Sequence, residues 1–240
     1  RAEFQDTLFR AANRDDVAYY RGRAEEVDGP VLELGCGTGR IYLELLDAGI
    51  DADGVELSDA SLSVLQENAA ERDLDPSVWR GDMSDFAVDR EYDLIYCPFN
   101  AIQELTSIED QQGLLASAYD ALAPGGQFVF GTFVPDIDYI AENWGEWQTR
   151  TVEFRGESVE YHTRTTLVDA VSQTYTTEQR AVWPDGSELF SFEGRATLLP
   201  AREIELLVQT APFDSYRATG DYTDQALADG HSAQVWILKK

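Results

Sequence analysis

Apolar positions recur along this chain with two different periods, and the change from one to the other divides it. Over 4–27, Phe4, Leu8, Phe9, Ala12, Val17, Tyr20 and Ala24 stand three to four residues apart, which predicts helix. The polar run Asn13-Arg14-Asp15-Asp16 is expected to break that helix and cap a second one. After Gly29-Pro30, the run 31–34 predicts a buried strand leading into Gly35. Helix is expected at 40–48, closed by Gly49, then strand at 52–57 and helix at 61–72 introduced by Ser58. Short strands follow at 78–82 and 92–97, the second stopped by Pro98. Helix at 108–122, a turn at Pro124-Gly125-Gly126 and strand at 127–133 complete this part. Strands alternating with helices predict an α/β fold with a doubly wound, mostly parallel sheet.

Beyond Trp147 the period falls to two. The stretch 147–198 is rich in Thr, Val, Tyr, Phe and Glu, with breaks near Gly156, Asp169-Ala170 and Pro184-Asp185-Gly186. It predicts four antiparallel strands in a meander. Pro200 then opens a helix through Thr210, and strands are expected at 214–219 and 232–238. The expected organisation is one α/β domain, 1–143 and 199–240, carrying an inserted antiparallel β subdomain at 144–198.

Composition changes this picture in one respect. At 240 residues and 43% hydrophobic, the chain can bury an ordinary core. Yet 45 acidic residues against 18 basic ones leave a net charge of −27, and Lys239 and Lys240 are the only lysines. A cationic partner drawn in by the field would explain this, as would a halophilic surface working where the screening length falls to roughly 3 Å at 1 M salt. The acids run evenly from Glu3 to Asp229 with no acidic block, which favours the salt-adapted surface. No basic cluster exists to meet phosphates, so nucleic-acid binding is not expected. Cys36, Cys97, His162 and His231 lack zinc-ligand spacing, so no metal is expected. Two cysteines without a demanded disulfide fit a reducing cytoplasm, and no apolar run approaches the ~18 residues of a membrane span. Monomer and homodimer both remain open.

The candidate chemistry gathers around Glu33-Leu34-Gly35-Cys36-Gly37-Thr38-Gly39-Arg40. Glycines at alternate positions let the backbone take positive φ and approach a ligand, while the helix start beyond them offers unpaired amides. A dinucleotide-binding turn uses such amides for a pyrophosphate, but its sixth position is normally Gly or Ala, and here it is Arg40. Glu56, with Leu57 beside it, ends the second strand, where a carboxylate can accept from both ribose hydroxyls. Asp82 and Met83, the only methionine, follow the third strand and could meet an adenine amine and ring face. Cys97 and Asn100 close the fourth strand at the same crevice.

Five segments in order, 33–40, 55–58, 81–83, 92–105 and 122–126, resemble class I S-adenosylmethionine-dependent methyltransferases over 31–133. The helix before the turn and the antiparallel insertion resemble small-molecule N- and O-methyltransferases, including glycine and amino-sugar N-methyltransferases. That resemblance implies a seven-stranded sheet with an antiparallel last strand and S-adenosylmethionine as cofactor. Gly35, Cys36, Gly37, Gly39 and Arg40 would face its methionine portion, Glu56 and Leu57 the ribose side, Asp82 and Met83 the adenine, with Cys97 lining the crevice. It also implies that a tyrosine of the N-terminal helix, Tyr19 or Tyr20, approaches the sulfonium. The acceptor would be a small molecule methylated on nitrogen or oxygen by in-line displacement, with the meander as its cap. His162, Glu104 and the tyrosines are candidates for a base, and Trp144, Trp147, Phe154, Tyr161, Tyr175 and Trp183 for the pocket wall. A nicotinamide-dependent oxidoreductase and a non-catalytic module that holds S-adenosylmethionine are the alternatives. The first lacks a Tyr-x-x-x-Lys pair, since both lysines are terminal.

Overall fold

A computed structural model describes residues 1–11 and 15–240, with the side chains of 9–11 left undescribed. Two N-terminal helices, α1 (Ala2–Ala11) and α2 (Asp15–Glu25), precede an alternating series. The series runs β1 (Val31–Leu34), α3 (Tyr42–Asp47), β2 (Ala52–Glu56), α4 (Asp59–Ala70), β3 (Ser77–Arg80), β4 (Tyr92–Cys97), α5 (Ile108–Ala121) and β5 (Leu122–Phe133). The expected break at 13–16, with Ala12, falls partly outside the described residues.

Seven strands form one sheet in the order β10-β11-β5-β4-β1-β2-β3, where β10 is Ser215–Gly220 and β11 is Ala233–Lys239. β11 runs antiparallel to both its neighbours, and the other strands are parallel. This is the doubly wound arrangement that the strand–helix rhythm implied. The chain leaves central β1 toward β2 and β3, then crosses back to β4 and β5, so the order reverses between β1 and β4. A crevice opens outside the carboxyl ends at such a reversal. β1 is buried on every residue because it is covered on both faces. One face packs Leu32, Leu34, Phe128 and Phe130 against Leu114 and Leu115 of α5 and Ile204 and Val208 of α7 (Ala201–Gln209). The other packs Val31, Tyr96 and Val129 against Tyr20 of α2, Leu45 of α3 and Leu65 of α4.

The second sheet, in the order β6-β7-β8-β9, is antiparallel throughout: β6 (Gln148–Phe154), β7 (Glu157–Asp169), β8 (Thr174–Val182) and β9 (Glu188–Thr197). Phe4 of α1 enters its inner face against Phe154, Val159, Tyr161 and Ala181.

Several boundaries differ from the sequence expectation, each for a local reason. The helix expected from Arg40 begins at Tyr42, because residues through Ile41 remain in the glycine turn; the amide of Gly39 donates to Cys36 at 2.9 Å. The third strand ends at Arg80, and Asp82 and Met83 lie in the turn beyond it. β5 starts at Leu122, before the expected turn. Register to β4 jumps from Tyr92–Leu122 to Leu94–Gln127, so Pro124-Gly125-Gly126 becomes a bulge inside the strand. An unexpected helix, α6 (Ile137–Asn143), forms where the Asp136 side chain caps the Tyr139 amide. A 3-10 turn, Ala101–Glu104, also follows β4.

Candidate active site

β1 delivers the glycine turn to the crevice. Gly35, Gly37 and Gly39 have φ of 72°, 55° and 90°, a conformation in which side chains are strained. The turn is braced from below: the amides of Gly35 and Cys36 both donate to the carbonyl of Val55, at 2.8 and 3.1 Å. Cys36 packs so close to β2 that a Cβ on Gly54 would stand 2.9 Å from its Sγ. A Cβ on Gly37, by contrast, would meet nothing nearer than 3.9 Å. That side of the turn is open, and it is the side a ligand would approach.

Glu56, at the end of β2, holds this geometry with both carboxylate oxygens. Oε2 accepts from the Gly37 amide at 2.9 Å and Oε1 from the Ser58 amide at 2.8 Å. Each oxygen has a second lone pair, so the residue can still accept from a vicinal diol. Ser58 in turn caps α4 by accepting from the Ser61 amide. Leu57 beside it leaves its side chain 58% exposed, an apolar surface at the crevice edge. Asp82 accepts from both the amide and the hydroxyl of Ser84 through Oδ1. Met83 comes within 3.9 Å of Cys97, sulfur to sulfur, so the exits of β3 and β4 converge as the sequence implied.

After β4, Phe99 and Asn100 both adopt left-handed backbone, with φ of 54° and 65°. Such strain persists only where the surroundings fix it. Here the Asn100 amide donates to Gly131 and its Oδ1 accepts from the Phe133 amide, tying the turn to β5. Ala101 then reaches the glycine turn, 3.4 Å from the position of a Cβ on Gly35.

Two buried acids on the N-terminal helices, neither anticipated from sequence, fasten those helices to the glycine turn. Asp6 of α1 accepts from the Thr38 hydroxyl at 2.9 Å and from Asn68 of α4, whose amide also donates to the Thr38 carbonyl. Asp16 of α2 accepts two bonds from the Arg40 guanidinium, at 2.8 and 2.5 Å. Arg40, which replaces the small residue of a dinucleotide turn, is thus the anchor for α2. Its guanidinium also lies 5.1 Å over the Phe99 ring. Nothing local in the sequence marks Asp6 or Asp16, because both partners are distant along the chain.

The structure separates the tyrosine candidates. Tyr20 is fully buried and stacked on Tyr96 at 5.0 Å, and its unpartnered hydroxyl lies 3.0 Å from where a Cβ on Gly131 would stand, near the end of β5. Tyr19 is half-buried under the Arg23 guanidinium. Burial raises the Tyr20 hydroxyl well above its ordinary value. Beneath, Tyr96 donates at 2.7 Å to Glu33, whose carboxyl is pushed up to about 8 by burial.

On the meander side the aromatics divide. Phe154, Tyr161 and Trp183 belong to the small core around Phe4, and Trp147 is exposed beneath Arg164. The Trp144 and Tyr175 rings meet at 5.0 Å, tilted by 48°, and the Tyr175 hydroxyl is raised by burial and, to a lesser degree, by nearby Glu104. His162 is not brought to the crevice. Strand alternation places it on the sheet face opposite Tyr161, where it meets Thr149 at 2.9 Å and Glu160. Gln103, in the 3-10 turn, is buried with neither amide atom partnered.

With this geometry in place, comparison with known proteins is direct. Residues 31–126 match a family model described as a methyltransferase domain. The dTDP-3-amino-3,4,6-trideoxy-alpha-D-glucopyranose N,N-dimethyltransferase of Streptomyces venezuelae is 31% identical over 120 residues, 50% of this chain and 48% of that protein. The chain therefore spans about half the length of that relative. Among solved structures, an S-adenosylmethionine-dependent methyltransferase from Clostridium acetobutylicum superposes with a TM-score of 0.81 at 19% identity, covering 99% of this chain and 96% of that one. An amino pentose methyltransferase from Micromonospora echinaspora, solved with S-adenosylmethionine bound, gives 0.75 at 21% identity over 100% and 96%. Residues 31–126 thus resemble a methyltransferase domain in sequence, and the chain shares its fold with these methyltransferases over almost its whole length.

Proposed function

We propose that this chain transfers a methyl group from S-adenosylmethionine to a nitrogen of a small-molecule acceptor. One observation carries the reading: Glu56 spans the glycine turn and the start of α4 at the strand-order reversal, with lone pairs left for a ribose diol. The open face of Gly37 and the exposed Leu57 fit the rest of a nucleoside-like donor. In this reading Gly35, Cys36, Gly37 and Gly39 border the methionine portion, Asp82 and Met83 the adenine, and Cys97 the crevice floor, with Arg40 acting through α2. The bound donor supplies an electrophilic methyl carbon. The protein's part is to align the acceptor nitrogen with it and keep water out.

The nitrogen assignment draws on the amino-sugar methyltransferases among the relatives. Residues 1–143 with 199–240 serve the donor, and 144–198 cap the acceptor through Tyr175 and its partner Trp144. Tyr20, aimed at the end of β5, is the favoured tyrosine on the donor side. Against the nicotinamide alternative, the turn lies within the residues that match a methyltransferase-domain model.

The buried free thiols Cys36 and Cys97 suit a reducing cytoplasm, and among the described residues no helix is long and apolar enough to cross a membrane. A net charge of −27 suits high salt, so thermal stability should rise with salt; a melting temperature independent of salt would remove that reading.

Calorimetric titration with S-adenosylmethionine and NADH, paired with radiolabelled methyl transfer to a panel of amines and their hydroxyl counterparts, tests the function. Donor binding with label on amines is expected. Binding without transfer to any member would make the chain a non-catalytic module, and tight NADH binding alone would overturn the proposal.

A further inference from the structure

We propose that Glu104 takes the proton from the acceptor's ammonium group and thereby restricts the site to basic amines. The inference rests on the methyl-transfer reading above.

Its foundation is position. Glu104 ends the 3-10 turn Ala101–Glu104, which is wedged between the two halves of the molecule. On one side Ala101 abuts Gly35 of the glycine turn; on the other, β9 of the meander packs against the same turn. Ile102 and Gln103 point inward and are buried, so Glu104 is the charged side chain that this wedge presents, solvent-accessible along one side but crowded by neighbouring groups on the other. Charged and titratable groups from several elements lie within electrostatic reach of it. Glu56 comes from β2, Cys97 from the end of β4, Tyr175 from β8, and Arg1 from the start of α1. Arg1 itself is held 3.2 Å over the Phe192 ring of β9, with Tyr161 nearby. One carboxylate, on a turn that touches both the glycine loop and β9, therefore acts on the donor-side Glu56 and on the acceptor-side Tyr175.

The surroundings also strengthen Glu104 as a proton acceptor. Loss of part of its hydration to the surrounding groups, with repulsion from Glu56, raises the Glu104 carboxyl above its ordinary value, opposed by Arg1. The competing groups are ill placed. Tyr20 and Tyr175 are both driven above ordinary phenol values by burial, and His162 faces away. Cys97 is raised and fully buried.

The step balances without any further reactant. An acceptor R–NH3⁺ pairs with the Glu104 carboxylate, and its proton moves to a carboxylate oxygen, leaving R–NH2 and a neutral acid. The freed nitrogen lone pair forms the new nitrogen–carbon bond while the carbon–sulfur bond breaks and its electrons return to sulfur. Positive charge has moved from sulfonium to the methylated nitrogen. An alcohol or carboxylate has no ammonium to be drawn to Glu104 and gains nothing from it.

Glu104→Gln and Glu104→Asp should be assayed with the labelled amine and hydroxyl panel, alongside calorimetric binding of S-adenosylhomocysteine. A Gln amide cannot take the proton, so kcat should fall at least ~100-fold on amines. The rise of wild-type kcat with pH should flatten in that variant, Asp should recover part of the rate, and S-adenosylhomocysteine affinity should be unchanged. Independently of turnover, difference infrared spectra should contain a carboxyl band titrating above the ordinary glutamate range, absent from Glu104→Gln. Undiminished amine turnover in Glu104→Gln, or wild-type label passing to hydroxyl members as readily as to amines, overturns the inference. Failure of the wild-type protein to bind S-adenosylhomocysteine instead overturns the methyl-transfer reading beneath it.

Discussion

Glu33 offers a direct test of how the site is built, because its effect can be read as stability rather than activity. Its carboxyl is 3% exposed, accepts from Tyr96 at 2.7 Å and is pushed up to about 8 by burial. Between the ordinary value of 4.5 and about 8, the folded chain keeps a proton that the unfolded chain has released. Stability therefore falls as pH rises across that window, and the contribution is gone above it. At ~1.4 kcal/mol per tenfold change in proton affinity, the loss is bounded at roughly 5 kcal/mol. Glu33→Gln keeps the shape and the carbonyl acceptor for Tyr96 but cannot ionise. Urea unfolding from pH 5 to pH 9 should give matching stabilities for the two proteins at the acidic end. The variant should gain progressively toward the alkaline end, by several kcal/mol. The subtraction also removes the general repulsion of an acidic chain, which both proteins share. Parallel curves across the whole range would refute the burial argument.

Substitutions at three further places probe the site's supports. Asp16 and Arg40 are 8% and 15% exposed, so Asp16→Ala should cost about 3–5 kcal/mol by stranding the guanidinium, whereas Asp16→Leu with Arg40→Met should recover most of it. Equal losses in the single and double variants, measured by urea unfolding, would deny the pairing that importance. Glu56→Ala should weaken S-adenosylmethionine binding by roughly 1–3 kcal/mol in calorimetric titration, since it removes the diol acceptor and releases the Gly37 amide. Gln103→Met should stabilise the ligand-free protein by about 1 kcal/mol, because a buried amide with no partner is replaced by an apolar chain of similar size. A lower melting temperature for that variant would mean the amide is satisfied.

Much of this architecture was legible in the sequence because local signals and tertiary need agree there. Val31–Leu34 is apolar on every residue but Glu33 and lies centrally in the sheet. The glycine turn declares its own backbone, and Ser58 caps the helix it was read to introduce. Legibility failed where a residue's partner lies far along the chain. Arg40 reads as a flaw in a dinucleotide fingerprint until Asp16 is seen opposite it. His162 reads as a candidate base until the β6–β7 register turns it outward. Helix α6 is hard to read because it is only seven residues long and buries none of them, so Ile137 and Ile140 form no sustained period. Glu56 reads from its strand-end position as a ligand residue, while its second task, clamping Gly37 to α4, depends on partners that only the fold brings together.

Helix α1 carries a consequence of its own. Asp6 on it is bonded to Thr38 in the glycine turn, while Phe4, half a turn away, is seated in the core of the meander. A single rigid rod is thus fastened to the donor loop and to the acceptor sheet. Any ligand that steadies one attachment lowers the cost of ordering the other, and the benefit must be returned in equal measure. The two substrates should therefore bind cooperatively without touching, each raising the other's affinity by the same factor. Cutting the rod, with Phe4→Ala and Asp6→Ala together, should make their binding independent.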